Sequence, residues 1–471
     1  MPLYTYVFAK QEYGVVVELY AWVAMLMVVF SYRLETAFFR FGTDKENRET
    51  AFSTALISIL NSTLLFVGLM LFFSEFITTN ILKYSADVSI YVSMFALVLG
   101  FDVLAEIPFA RLRLEGRPIR FAAIKLINIG INVGLNLFFI LLCPWILEQG
   151  SETFGYSIIE KYYNADLGVG YIFLSNLIAS AVTILLLLPE FLRTSWLFDK
   201  ALWKKMFLYS SPLILAGLAG IVNEVLDRQL LKYFLPGSTD ENMAQIGIYG
   251  ACYKLAMLLS LFTQAFRYAA EPFFFSQAKN KDAKLLYAEV GKYFAIFGLL
   301  GFLVITLYID IFQYFVGEEY RVGLTIVPVL LLANLFLGLY YNLSIWYKLT
   351  DKTLYGGYIM SIGALITIVL NILFIPTYGY MASACATLIC YFSVTAISYY
   401  YGQKYYPVDY DLKRIFGYTA IAVSLYLISI TAADFIDTPF SLAFNTFLLV
   451  TFLFVLYKGE KESFQRFFLA K

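Results

Sequence analysis

Thirteen stretches of this chain run almost continuously apolar for about 17 to 24 residues each, and nothing else in it constrains the fold as tightly. They cover roughly 15–34, 51–73, 88–108, 121–143, 167–188, 207–230, 248–268, 293–316, 325–346, 356–375, 380–401, 414–433 and 441–457. A helix rises about 1.5 Å per residue, so about 20 such residues cross a hydrocarbon core of about 30 Å. Lipid offers no partner for backbone N–H and C=O groups, which leaves helices or a closed barrel. The runs lack the alternation of lipid-facing strands, so helices are expected. With 61% hydrophobic residues and only 14% charged, 471 residues leave little for a soluble domain.

The charged loops alternate in kind. Sorted into odd and even gaps, one set carries roughly 25 Lys and Arg, including Arg111 to Arg120, Lys200 to Lys205 and Lys279 to Lys292. The other carries about 6: Lys10, Lys83, Lys161, Arg228, Lys232 and Arg321. Such a split is the positive-inside pattern of a multi-pass membrane protein, with the basic loops in the cytoplasm. Loops 111–120 and 269–292 are thus expected inside and 144–166 outside.

Several functions are disfavoured. There is no histidine, the commonest general base and metal ligand. Cys143, Cys252, Cys385 and Cys390 sit in or beside apolar runs without zinc spacing, so no metal, cofactor or catalytic residue is assigned. Net charge is zero, which offers nothing to nucleic acid. A glycan polymerase or ligase would be expected to present a large outer loop with catalytic side chains, and the longest outer loop here is short. The chain is read as a non-enzyme.

An internal repeat is visible. Glu12-Tyr13-Gly14 with Tyr20 matches Gln245-Ile246-Gly247 with Tyr253. Tyr32-Arg33 leading to Phe38-Phe39 matches Phe266-Arg267 leading to Phe273-Phe274, one residue being inserted near Pro272. Both copies run in the same sense, a parallel duplication of helical bundles. The expected organisation is an N-terminal lobe over 1–200, a C-terminal lobe over 201–402, and an added helix pair with tail over 403–471. The alignment sets Met1–Tyr4 against Leu231–Phe234, which leaves span 207–230 without a counterpart.

Polar groups at membrane depth are costly and mark cavities or partners. Glu224, Asp227 and Arg228 share one helical face; they suit either a Glu224–Arg228 pair with snorkelling to water or an ion-coupling wall. Lys125, Asn128, Asn132 and Asn136 form one stripe, either interhelical glue or the lining of a sugar path. Asp102 is the deeper of two acids one turn apart and is the better coupling candidate; Glu106 reads as a helix-end carboxylate and Glu18 as an interfacial one. Arg267 and Glu271 can pair at a spacing of four.

The chain resembles the oligosaccharide flippases, or Wzx-like polysaccharide biosynthesis proteins, of the MATE-containing MOP superfamily. The residues that carry this are Pro2-Leu3-Tyr4-Thr5, Glu35-Thr36-Ala37-Phe38-Phe39-Arg40, Tyr249-Gly250-Ala251-Cys252-Tyr253-Lys254, Phe266 through Phe273, and Trp346 through Thr353. The resemblance implies an all-α integral membrane fold of two pseudo-repeated lobes, thirteen spans being visible of fourteen, with the first helix expected upstream of Met1. It implies a lipid-linked oligosaccharide as cargo, membrane lipids and the polysaccharide polymerase and export machinery as partners, and the bacterial inner membrane as location. A pyrophosphate-bearing cargo needs cations, for which Arg33, Lys125, Lys254 and Arg267 are the expected contacts; arginine offers a fork of donors and lysine a point charge. Asp102, Glu224 and Asp227 are the expected ion-coupling carboxylates. The main alternative is a cation-coupled drug exporter of the same superfamily.

Overall fold

The computed structural model describes residues 2–43, 46–278, 280–350, 352–433, 435 and 438–469, with side chains of 271, 272, 438, 439 and 462–469 excepted. Among these residues it is all helical, with thirteen helices long and apolar enough to span a membrane. They are α1 (Lys10–Ser31), α2 (Arg48–Phe72), α3 (Ser89–Leu114), α4 (Pro118–Leu137), α5 (Gly170–Leu192) and α6 (Lys200–Phe234). There follow α7 (Thr239–Gln277), α8 (Ala283–Leu307), α9 (Val327–Leu343), α10 (Leu354–Tyr378), α11 (Tyr380–Tyr405), α12 (Leu412–Ala433) and α13 (Thr438–Leu469). Each of the thirteen expected apolar runs overlaps one of them, although 293–316 continues past Leu307 into two short helical turns.

Helix ends follow local chemistry. Pro118 occupies the first turn of α4, where its missing N–H costs nothing. Asp199 caps α6 by accepting from the backbone N–H groups of Ala201 at 2.8 Å and Leu202 at 3.0 Å. Ser238 and Glu241 form a reciprocal capping box at α7.

Packing divides the chain into two compact units, 7–229 and 1–6 with 230–471. The boundary expected from the repeat lies at 200/201 instead; it concerns duplicated halves, and the packing division concerns contacts. In the N-terminal unit α3 is central and packs against α1, α2 and α5, while α4 lies along α5. Its core joins Phe30, Leu34, Phe38, Phe52, Leu56 and Ile59. In lipid such contacts hold by close packing and dispersion, because the surrounding tails are equally apolar.

In the C-terminal unit α9 packs against α7, α8 and α11, and α10 lies on α11. Gly338 of α9 allows this approach: a Cβ there would come within 2.2 Å of the Phe294 ring. Residues 2–6 of the helix Pro2–Val7 belong to this unit. The Thr5 hydroxyl accepts from the Gly317 N–H at 3.0 Å, and the Tyr6 hydroxyl donates to the Tyr314 carbonyl at 3.0 Å.

Candidate functional site

The N-terminal unit contains a half-open cavity of about 380 Å³ whose walls are unusually polar for membrane depth. Three helices supply it. From α3 come Asp102, Glu106, Phe109 and Arg113; from α4, Lys125 and Asn128; from α5, Asn176, Ser180 and Thr183. Met27 of α1 and Glu35, in the short helix Leu34–Phe41, complete the rim. Spacings of three and four on α3 and α4 turn these residues to one side of each helix.

A strained turn brings in Glu35. Tyr32 at φ 43° and Arg33 at φ 54° both occupy the left-handed region, ending α1 and redirecting the chain into Leu34–Phe41. For non-glycine residues that conformation costs about 1–2 kcal/mol each, so the surroundings must impose it. Gly217 of α6 helps: a Cβ there would lie 2.6 Å from the Arg33 Nη2. The Arg33 guanidinium thus packs on bare backbone, with Glu106 as a charged neighbour.

Inside the cavity the charges are partly matched. Asp102 accepts from the Ser180 hydroxyl at 2.8 Å, with Lys125 as its electrostatic neighbour. The Lys125 ammonium lies 4.4 Å from the centroid of the Phe109 ring. Arg113 donates to the Glu35 carboxylate. Three carboxylates (Glu35, Asp102, Glu106) therefore face two cations (Arg113, Lys125). Asn128 donates to Thr183 at 3.0 Å and Asn132 to Asn176 at 3.2 Å, tying α4 to α5. Both readings of the asparagine stripe meet here: Asn132 is glue, whereas Asn128 and Lys125 also line the cavity.

Of the seven expected site residues, Asp102 and Lys125 share this cavity. Arg33 is half-buried beside it. Asp227 and Arg228 are both buried, so snorkelling to water is a wrong account of them. Arg228 pairs with Asp227 at 3.0 Å and donates to the Glu224 backbone carbonyl at 2.5 Å, so the expected Glu224–Arg228 side-chain pair is replaced by a bond to the adjacent acid. Glu224 itself is exposed. Lys254 is exposed on α7. Arg267, also on α7, lies over the Tyr341 ring at 4.8 Å and lines a cleft of about 20 Å³ with Lys348. The Glu271 side chain, its expected partner, lies outside the described residues.

Some residues escaped the sequence reading. Glu106 lines the cavity and is more than a helix-end carboxylate. Glu18 is fully buried, not interfacial, and accepts from the Tyr84 hydroxyl, 66 residues away. Glu190, 1% exposed, accepts from Arg117 at 3.2 Å and Arg120 at 2.7 Å, with Arg111 at 3.7 Å. In the C-terminal unit Glu460, 1% exposed, accepts from Lys292 at 2.6 Å, Arg414 at 3.0 Å and the Tyr418 hydroxyl at 2.9 Å. That unit also holds an apolar cleft of about 170 Å³ lined by α9, α11 and α12 with Gly291 of α8. For Glu106 and Glu190 the one available signal was an acid near the cytoplasmic end of an apolar run.

No protein-family model matches the chain, and no curated protein matches it by sequence. Solved structures do match it by fold. The lipid II flippase MurJ, in an inward closed conformation, superposes with a TM-score of 0.62 at 16% identity, covering 96% of this chain and 97% of that one. A multidrug resistance MATE family transporter of the MOP superfamily, inward-facing, gives 0.64 at 13% identity over 86% and 92%. A MOP superfamily transporter from Pyrococcus furiosus, described as having a binding pocket of reversed polarity, gives 0.56 at 14% over 83% and 87%. The chain thus has the all-helical, multi-span fold shared by MOP superfamily transporters.

Proposed function

We propose that this protein is a flippase that moves an undecaprenyl-diphosphate-linked oligosaccharide across the bacterial inner membrane by alternating access, for O-antigen, capsule or exopolysaccharide assembly. The observation that carries this reading is a charged, hydrogen-bonding cavity at membrane depth, in which Lys125 stands beside Asp102. A cavity of this kind suits a polar headgroup, and the fold likeness to a lipid II flippase extends over 96% of the chain. In this reading Lys125 and Arg33 of the N-terminal unit, and Lys254 and Arg267 of the C-terminal unit, attract the pyrophosphate, and Asp102 couples transport to an ion. Asp227, already paired with Arg228, is the weaker coupling group.

A second reading, a cation-coupled exporter of small cationic compounds, is favoured by the excess of three carboxylates over two cations in the same cavity. Proteoliposomes separate the two. A fluorescent polyprenyl-diphosphate oligosaccharide should reach the outer leaflet, where an impermeant reductant bleaches it, and Lys125→Ala should slow this about tenfold or more. Transport of a cationic dye, without movement of the lipid, would replace the flippase by the exporter.

A further inference from the structure

The connector between α5 and α6 combines features that the cavity does not explain. Three consecutive large apolar residues, Trp196, Leu197 and Phe198, are exposed at 48%, 62% and 47%. The residues that follow them are anchored. The Asp199 N–H donates to the Thr54 hydroxyl at 3.1 Å, the Trp203 indole donates to the Ser58 hydroxyl at 2.8 Å, and Met206 is buried in the unit's core. Trp196 adopts φ 52°, a left-handed conformation that bulky residues rarely take. Strain of this sort persists only where the neighbourhood imposes it.

Charge distinguishes this segment further. In the same unit Arg111, Arg113, Arg117 and Arg120 are each paired with glutamate. Among the described residues, Arg193, Lys200, Lys204 and Lys205 make no ion pair, and all four are exposed. Lys200 and Lys204 lie one turn apart on α6 and lead into the exposed Leu208 on the same face. The 35 residues of α6 extend about 52 Å, well beyond a hydrocarbon core of about 30 Å. Its lysine-bearing first turns therefore have length to spare at the headgroup level, where aromatic rings and cations prefer to lie. The basic-loop pattern puts that end on the cytoplasmic side, whose leaflet carries anionic lipid.

We infer that residues 193–208 form a docking surface for anionic phospholipid of the cytoplasmic leaflet. Trp196, Leu197 and Phe198 insert among the upper acyl carbons, and Lys200, Lys204 and Lys205 hold headgroup phosphates. Charge complementarity and continuity with the apolar belt of α6 select this partner over a protein.

The test uses the full-length protein in nanodiscs of phosphatidylcholine with brominated phosphatidylglycerol or, at the same mole fraction, brominated phosphatidylcholine. The difference in fluorescence between wild type and Trp196→Phe isolates Trp196. Its quenching should report a local enrichment of phosphatidylglycerol of about fivefold. Lys200→Gln/Lys204→Gln/Lys205→Gln should abolish the enrichment, and the corresponding triple arginine variant should keep it. On the wild type alone, raising sodium chloride to about 0.5 M should weaken it through screening, which keeps the test decisive if the glutamine variant does not fold. Equal quenching by both lipids, or enrichment that survives salt, overturns the proposal. No quenching by either lipid overturns it too, by showing that the segment is outside the bilayer.

Discussion

The two units are hollowed differently. In the N-terminal unit about 380 Å³ is bounded by Asp102, Glu106, Arg113, Lys125 and the amides and hydroxyls of α4 and α5. In the C-terminal unit about 170 Å³ is bounded by Leu335, Phe336, Phe392, Ile415, Phe416 and their neighbours, with Thr395 and Asn342 as the main polar side chains besides tyrosines. Each unit also gathers cations on one buried glutamate, Glu190 or Glu460. The lesson is a separation of tasks: both units use a buried acid to lock helix ends, but the first gathers five charged side chains around a cavity of about 380 Å³, whereas the second opens Arg267 and Lys348 onto a cleft of only about 20 Å³. Buried charges are retained where a cavity or a partner compensates them, so the N-terminal unit is the first place to seek ion coupling.

The largest expected effect tests the shared lock. Glu460→Ala leaves the buried Lys292 without its acid and should cost about 3–5 kcal/mol. Glu190→Ala should cost less, because its partners Arg117 and Arg120 are 35% and 26% exposed and can rehydrate. Thermal unfolding in detergent measures both, and equal losses would dissolve the distinction. Next, Asp102→Asn should slow transport by about 5- to 150-fold, the usual range of coupling energies, with the unfolding midpoint nearly unchanged. Thr395→Val in the apolar cleft should leave transport intact; if it is as harmful as the Asp102 change, the separation of tasks is wrong. Third, Gly217→Ala pushes aside the Arg33 guanidinium, the far end of a flexible side chain, and should destabilise by about 1 kcal/mol, with Gly217→Ser no better. A neutral result would mean that Arg33 swings freely. The smallest effect is Asn132→Ala, which removes one interhelical bond to Asn176 and should cost about 0.6 kcal/mol. A loss of transport from that change would promote Asn132 from glue to cavity wall.

Much of the fold was legible in residue order alone. The thirteen apolar runs coincide with α1 to α13 because lipid forces each segment to satisfy its own backbone, so spanning elements are local and length is diagnostic. The asparagine stripe of α4 was legible for the same reason: its spacing of three and four is a property of one helix. Asp102 and Lys125 were singled out by depth within their own runs.

What the sequence by itself could determine ends where one helix meets another. That Asp102 and Lys125 share a cavity depends on how α3, α4 and α5 pack, across side chains that carry no order in sequence. Glu18 looked interfacial from its distance to a helix end, yet Tyr84 covers it from 66 residues away. Glu106 looked like a helix-end carboxylate and Glu190 drew no reading, and only their tertiary neighbours separate the first, in a cavity, from the second, under three arginines. Asp227 was expected to join the open coupling groups, but the Arg228 side chain folds back onto it. The periodicity of a helix decides which residues share a face; the choice of what that face meets belongs to packing, and the energy of a charge depends on that choice.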